Sequence, residues 1–200
     1  ITAGAKVSFT NTRNGINYDT SDPTLVQDDY FRYKEQIYAL YADYSREFSE
    51  RFAMQLGLRM EHTRTTGISE AKDTEDKHDY TRLFPTVYLL YSPTDGHALN
   101  FSFSNRISRP SQNMVNPFPF YQNKYTYACG REDLKPSYTY NAELGYTLKN
   151  NFNVSAYYSY SDDVFFQVVD LDAETNVTSF LWENFMKTHA FGLNNSYTFR

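Results

Sequence analysis

The 200 residues contain one cysteine, Cys129. This rules out a disulfide framework within the chain and any zinc site built from a cysteine cluster. The four histidines, His62, His78, His97 and His189, sit on separate stretches, and none has a metal-ligand spacing such as H-x-x-x-H. They read as surface or lumen histidines. No run of about 18 apolar residues is present, so no transmembrane helix is expected. A basic excess is missing too: 19 Lys and Arg face 24 Asp and Glu, a net charge of −5, so nucleic acid is not an expected partner. Ile1 to Lys6 lacks a basic start followed by an apolar run, so no signal peptide is expected within the chain. No Ser-His-Asp order, phosphate-cradling glycine loop or glycosidase carboxylate pair stands out. No catalytic residue, metal ligand or cofactor is therefore assigned, and the protein is expected not to be an enzyme.

Aromatic rings are abundant: 19 Tyr and 16 Phe help bring the aromatic share to 18%. Yet mean hydropathy is −0.65. Disordered chains are polar but poor in aromatics. A polar, ring-rich chain fits either a secreted β-protein that binds glycans through exposed Tyr and Phe, or a transmembrane β-barrel with apolar residues at every second position.

Periodicity favours the barrel. Phe52, Met54, Leu56, Leu58 and Met60 alternate with Ala53, Gln55, Gly57, Arg59 and Glu61, which is the period of a strand. Leu99–Ile107, Tyr138–Leu148 and Phe152–Tyr160 repeat the pattern. Phe191–Phe199 does so with an interruption at Asn195. Tyr33–Ser45, Leu83–Ser92 (with Pro85, which cannot donate to a ladder) and Ile1–Thr12 bring the total to about eight strands. The connections alternate in length. Arg13–Arg32, Thr65–Asp79, Pro110–Ser137 and Asp170–Ser179 are long, whereas Arg46–Arg51, Pro93–His97 and Lys149–Asn151 are short. An antiparallel meander with long outer loops and short periplasmic turns is what an outer-membrane barrel shows. A Greek-key sandwich has no reason to sort its loops this way.

The expected architecture is therefore all-β: an antiparallel meander of about eight long strands forming part of a transmembrane β-barrel in the outer membrane. Lipid offers the backbone no hydrogen-bond partners, so such a sheet must satisfy itself and face the lipid with apolar side chains. Gln55, Arg59, Glu61, Asn100, Ser102, Ser104, Arg106, Asn141, Glu143, Asn153 and Ser155 should then face the lumen. Tyr38, Tyr44, Tyr91, Tyr138, Tyr146, Tyr158 and Tyr160 fall where aromatic girdles sit. Arg59, Glu61, Arg106 and Glu143 are the informative lumen charges. Two roles stay open for them: contacting a substrate or plug domain, or satisfying one another. The aromatic loop Asn116–Tyr127 either captures sugars or a partner, or folds inward as a small core. Asp170–Asn176 resembles the start of a calcium loop but lacks its turn glycine and distant Glu, and reads as a solvated acidic hairpin loop, as do the runs Asp19–Asp29 and Glu70–Asp79.

The stretch Phe101–Ser111, followed by Asn116-Pro117-Phe118 and Tyr125-Thr126-Tyr127, resembles the Bacteroidetes outer-membrane β-barrel family, which is related to TonB-dependent receptors. Gly130 with Asp133-Leu134-Lys135-Pro136, leading into Asn141–Tyr146, is similar to that family's G-N-P-x-L-x-P-E segment. Phe31–Ala39 and Gly57–Glu61 are also similar to its pattern. Arg131 and Glu132 stand where the family tends to have Asn-Pro, and Ser137 where Glu is usual. The resemblance singles out Arg109, Pro110, Asn116, Pro117, Phe118, Tyr121, Tyr125, Tyr127, Gly130, Leu134 and Pro136 as outer-loop motif or ligand-contact residues. It implies a non-enzymatic transporter for a bulky nutrient, driven by TonB through a plug, with outer-membrane lipid around it and a surface lipoprotein as a further partner. Family barrels have about 22 strands behind a plug, so residues 1–200 are expected to be a segment of the wall. A small complete eight-strand barrel with a structural or adhesion role, and a secreted glycan-binding β-sandwich, are the alternatives.

Overall fold

The computed structural model describes residues 1–17, 28–70, 72–149 and 151–199. Among the described residues ten strands form a single sheet. Eight are long: β1 (Thr2–Asn17), β2 (Asp28–Ser49), β3 (Phe52–Ser69), β4 (Thr74–Tyr91), β5 (His97–Ser108), β8 (Ser137–Leu148), β9 (Phe152–Asp172) and β10 (Val177–Tyr197). A one-turn helix, α1 (Gln112–Val115), and two short strands, β6 (Phe120–Asn123) and β7 (Thr126–Cys129), lie between β5 and β8. The order across the sheet is β1-β2-β3-β4-β5-β8-β9-β10-β7-β6. The long strands form the expected meander, each antiparallel to the next. No second sheet packs on them among the described residues, so the sandwich alternative is overturned.

Register carries the two faces across the whole wall. Leu56, Val87, Phe103, Ala142, Tyr158 and Phe191 form one cross-strand row. Met54, Leu89, Phe101, Leu144, Ala156 and Leu193 form the next. Leu144 is 54% exposed and Phe191 83%, because only solvent or lipid lies beyond them. The opposite face carries Gln55, Tyr88, Ser102, Glu143, Tyr157 and Gly192 in one row and Gly57, Thr86, Ser104, Asn141, Ser159 and Ala190 in another. An apolar outside over a polar inside is the inversion that hydrocarbon demands of a barrel wall.

Three expectations change at the outer end. Thr65–Asp79 is not a loop: β3 runs to Ser69 and β4 resumes at Thr74. Asp170–Ser179 is likewise two strands closed by a tight turn, with Asp172 Oδ1 accepting the Glu174 N–H at 2.9 Å and Asn176 in the left-handed region at φ 55. The strands project well past the apolar band, where the outer face meets water and the inner face carries buried Thr63, Thr65 and Ser69, so the apolar–polar alternation fades while the ladder persists. β10 accordingly starts at Val177 rather than Phe191. The run Asp19–Asp29 lies largely outside the described residues.

Pro85 sits within β4, opposite Leu58 of β3. The β4–β5 ladder spans Thr86↔Ser104 to Tyr91↔Leu99 and stops there. Proline has no N–H to continue it. Beyond that point β4 stays on β3 and β5 stays on β8. Tyr138, expected in an aromatic girdle, is buried at 8% exposure. It sits under the Arg82 guanidinium, 4.7 Å from its ring centroid, beside this gap.

Candidate functional site

The segment 109–136 leaves the end of β5 and folds back as a cap. Val115 and Leu134 are buried against Phe31 of β2, with Tyr33, Met114, Phe165 and Trp182 packed around them. Phe165 and Trp182 come from the upper β9–β10 arm. A register shift around Met186, with Asp163 at φ 52, re-aims that arm as bulges do. Asn184 beside the shift clamps the cap: its Oδ1 accepts Lys135 N–H at 2.8 Å, and its Nδ2 donates to Lys135 O at 3.0 Å and Asp163 O at 2.7 Å.

Within the cap Asn116, Pro117 and Phe118 are buried. The Phe118 N–H donates to Asn116 Oδ1 at 3.1 Å, and Gly130 N–H donates to Asn116 O at 2.9 Å. A Cβ on Gly130 would stand 2.3 Å from Asn116 O and 2.7 Å from Met114 O, so the chains approach this closely because glycine is there. The Cys129 thiol donates to Pro117 O at 3.0 Å, and burial pushes its pKa up. It is part of the packing. Residues 120–129 form the β6–β7 hairpin, with Tyr121 and Tyr127 rings 5.6 Å apart, and β7 adds to β10 in parallel. Of the two roles open for Asn116–Tyr127, inward folding describes 116–118. Tyr125 at the hairpin turn is 52% exposed, under the Lys124 ammonium.

Arg109 clasps the cap to the wall. Its Nη2 lies 2.5 Å from Glu61 Oε2 and 3.1 Å from Thr63 Oγ1, and its Nε lies 3.9 Å from Glu35 Oε2. Arg59 Nε holds the other Glu61 oxygen at 2.5 Å. Glu61 is thus shared by two guanidinia on the inner face. Arg106 lines a neighbouring hollow with Arg59 and Glu61. Glu143 is not with them: it lines a separate hollow near the periplasmic turns, with Asn100, Asn153 and Ser155.

Between the cap and the inner face of β2–β4 lies a cleft of about 380 Å³. Phe31, Tyr33, Tyr80 and Tyr138 supply rings, Arg82, Arg109 and Lys135 supply cations, and Glu35, Asp76 and Glu132 supply carboxylates. Pro110, Leu134 and Pro136 complete its cap side. Burial pushes the Tyr33 hydroxyl pKa upward, so it stays a neutral hydrogen-bonding group. Sequence reading missed Phe31, Tyr33, Glu35 and Tyr80. Phe31, Tyr33 and Glu35 fall in the stretch similar to the family pattern and alternate along β2, aromatic on a face that elsewhere is polar, whereas nothing local marks Tyr80.

Such a wall, apolar outside and polar inside with a cap folded over its inner surface, defines a transmembrane β-barrel wall. The chain belongs to the outer membrane protein beta-barrel family, whose model matches residues 1–200, and it resides in the outer membrane. No curated protein matches it. Among solved structures it resembles the Serratia marcescens hemophore receptor HasR, in a complex with its hemophore HasA and heme, at 12% identity and TM-score 0.62 over 96% of this chain and 38% of that one. It resembles the copper transporter OprC at 13% identity and TM-score 0.56, over 99% of this chain and 33% of that one. For the siderophore receptor PirA from Pseudomonas aeruginosa the values are 12%, 0.54, 98% and 47%. At these identities the likeness is one of fold. The chain spans between a third and a half of the length of each of these three proteins.

Proposed function

We propose that the chain is part of the wall of a TonB-dependent transporter that takes up a bulky nutrient and performs no chemistry on it. The observation that carries this reading is the capped inner cleft, ring-lined and bearing both signs of charge, at the outer end of a lipid-facing wall. A ligand held there by stacking and hydrogen bonds is captured on its way into the lumen. In this reading residues 1–200 are one segment of a larger ring. β1 and β10 lie on opposite sides of the sheet and do not pair with each other among the described residues, so further strands must satisfy their edges in lipid. That supports a large barrel over a closed eight-strand one. A plug inside the ring transmits energy from TonB, and a surface lipoprotein covers the outer hairpins.

The test compares wild-type, gene-deleted and complemented cells grown in one complex medium, following the spent medium by mass spectrometry. A compound too large for passive pores should be depleted by wild-type and complemented cells alone, and its depletion should stop when TonB is removed. Identical spent media from all three strains would overturn the reading.

A further inference from the structure

The outward face of β1–β4 changes character row by row towards the outer end. Ala5, Leu40, Met60 and Leu83 form the last wholly apolar row, followed by Val7, Tyr38, His62 and Thr81. The next three rows are Phe9, Gln36, Arg64 and Asp79; then Asn11, Lys34, Thr66 and Lys77; then Arg13, Arg32, Ile68 and Glu75. Five cations thus gather on one patch of a chain whose net charge is −5. Two of them are answered: Arg64 Nε lies 2.8 Å from Asp79, and Lys77 Nζ lies 2.9 Å from Glu75. Arg13, Arg32 and Lys34 have no acidic partner within ion-pair distance among the described residues.

Arg13 and Arg32 are direct cross-strand partners. Like charges directly opposite each other destabilise a ladder unless an anion lies between them. Arg32 Nε is moreover buried and without a hydrogen-bond partner. Glu70 borders the hollow of about 280 Å³ that Arg13, Asn14 and Arg32 line, which still leaves the patch positive among the described side chains.

We infer that Arg13, Arg32 and Lys34 form a site for the phosphates of the outer leaflet's glycolipid. Height selects that lipid. Lys34 lies four residues beyond Tyr38 and Arg32 six, which at ~3.3 Å per residue and ~45° tilt puts them about 9 and 14 Å above the boundary ring. An ordinary phospholipid head-group layer is only about 5–7 Å deep, whereas a phosphorylated saccharide head group reaches the whole patch. The attraction is that of basic residues for an anionic membrane surface.

The test uses the full-length protein in neutral detergent with three probes: rough lipopolysaccharide, the same lipid after enzymatic dephosphorylation, and inorganic phosphate. Binding is read by native mass spectrometry and by the shift in Tm. The wild type should retain the phosphorylated lipid and gain Tm, while the dephosphorylated lipid and inorganic phosphate should do neither. R13Q/R32Q/K34Q should keep its Tm without lipid and bind on the order of a hundredfold more weakly, since each basic residue contributes about fivefold. If that variant does not fold, Lys34→Gln alone, at an exposed position, should bind about fivefold more weakly. Equal retention by variant and wild type, or an equal Tm gain with inorganic phosphate alone, would overturn the assignment.

Discussion

Arg109 Nη2 rests 2.5 Å from Glu61 Oε2, although β4 runs between β3, which carries Glu61, and β5, which leads to Arg109. The pair crosses the inner face of a strand whose own ladder to β5 has ended. Glu61 is 9% exposed at its side chain and Arg109 20%, so removing Arg109 leaves a largely desolvated carboxylate oxygen unpaired, with Arg59 holding only the other. Arg109→Met should therefore lower stability by about 1–3 kcal/mol. The double variant with Glu61→Gln should recover part of that loss. Urea titration of all four proteins checks this, and strict additivity would count against the clasp.

Gly130→Ala introduces a methyl against two backbone oxygens that cannot swing aside. We expect a loss of about 1–3 kcal/mol, concentrated in the cap. Hydrogen exchange should accelerate in 114–118 and 129–134 while β3 and β8 keep their protection. Cys129, half-buried with its thiol pKa raised by that burial, should alkylate slowly in the parent and faster in the variant.

Leu144→Arg and Leu56→Arg place a guanidinium in hydrocarbon. Each should cost about 2–4 kcal/mol if near the bilayer midplane. Gln55→Arg, one residue from Leu56 on the water-facing side, should cost little. Gel mobility of unheated samples and unfolding from vesicles distinguish the faces, and equal losses at 55 and 56 would contradict the outward assignment.

Arg131 holds Asp133 at 2.6 Å and Glu183 of β10 at 3.0 Å. The hydrogen bond from Arg131 keeps the Asp133 carboxyl pKa below its ordinary value. A depressed folded-state pKa means that the contact stabilises the cap above the unfolded value of about 3.9 and is lost as pH falls below it. The cap's protection at 131–136 should therefore be flat from about pH 8 to 5 and decline below about pH 4. Because both groups are largely exposed, the effect should be small and should shrink in high salt. Exchange rates measured across that range check it.

The wall was legible because hydrocarbon on one side and water on the other impose a period of two, visible in Phe52–Glu61 and Tyr138–Leu148. Beyond the membrane that contrast disappears. Thr65 opposite His78 and Leu171 opposite Thr178 pair across ladders there, and nothing in their hydropathy distinguishes strand from loop. The cap was half legible. Pro110, Leu134 and Pro136 belong to the cleft, but Phe31, Tyr33 and Tyr80 face them from residues about 30 to 100 positions away in sequence, and no local pattern announces such a meeting. Tyr138 reads as a girdle residue until the gap beside β4 lets Arg82 cover it.

That gap divides the outer end of the wall. Above Pro85 no described backbone rung joins β4 to β5, and β1–β4 meet β5–β10 through side chains: the Arg109 clasp, Arg82 on Tyr138, the Asn105 amide reaching Leu83 O at 3.5 Å, Thr74 Oγ1 donating to Glu132 at 2.7 Å, and the Phe31–Val115–Leu134 core. Cohesion at the outer end is thus a matter of side-chain chemistry, whereas the belt beneath it is closed by continuous backbone rungs.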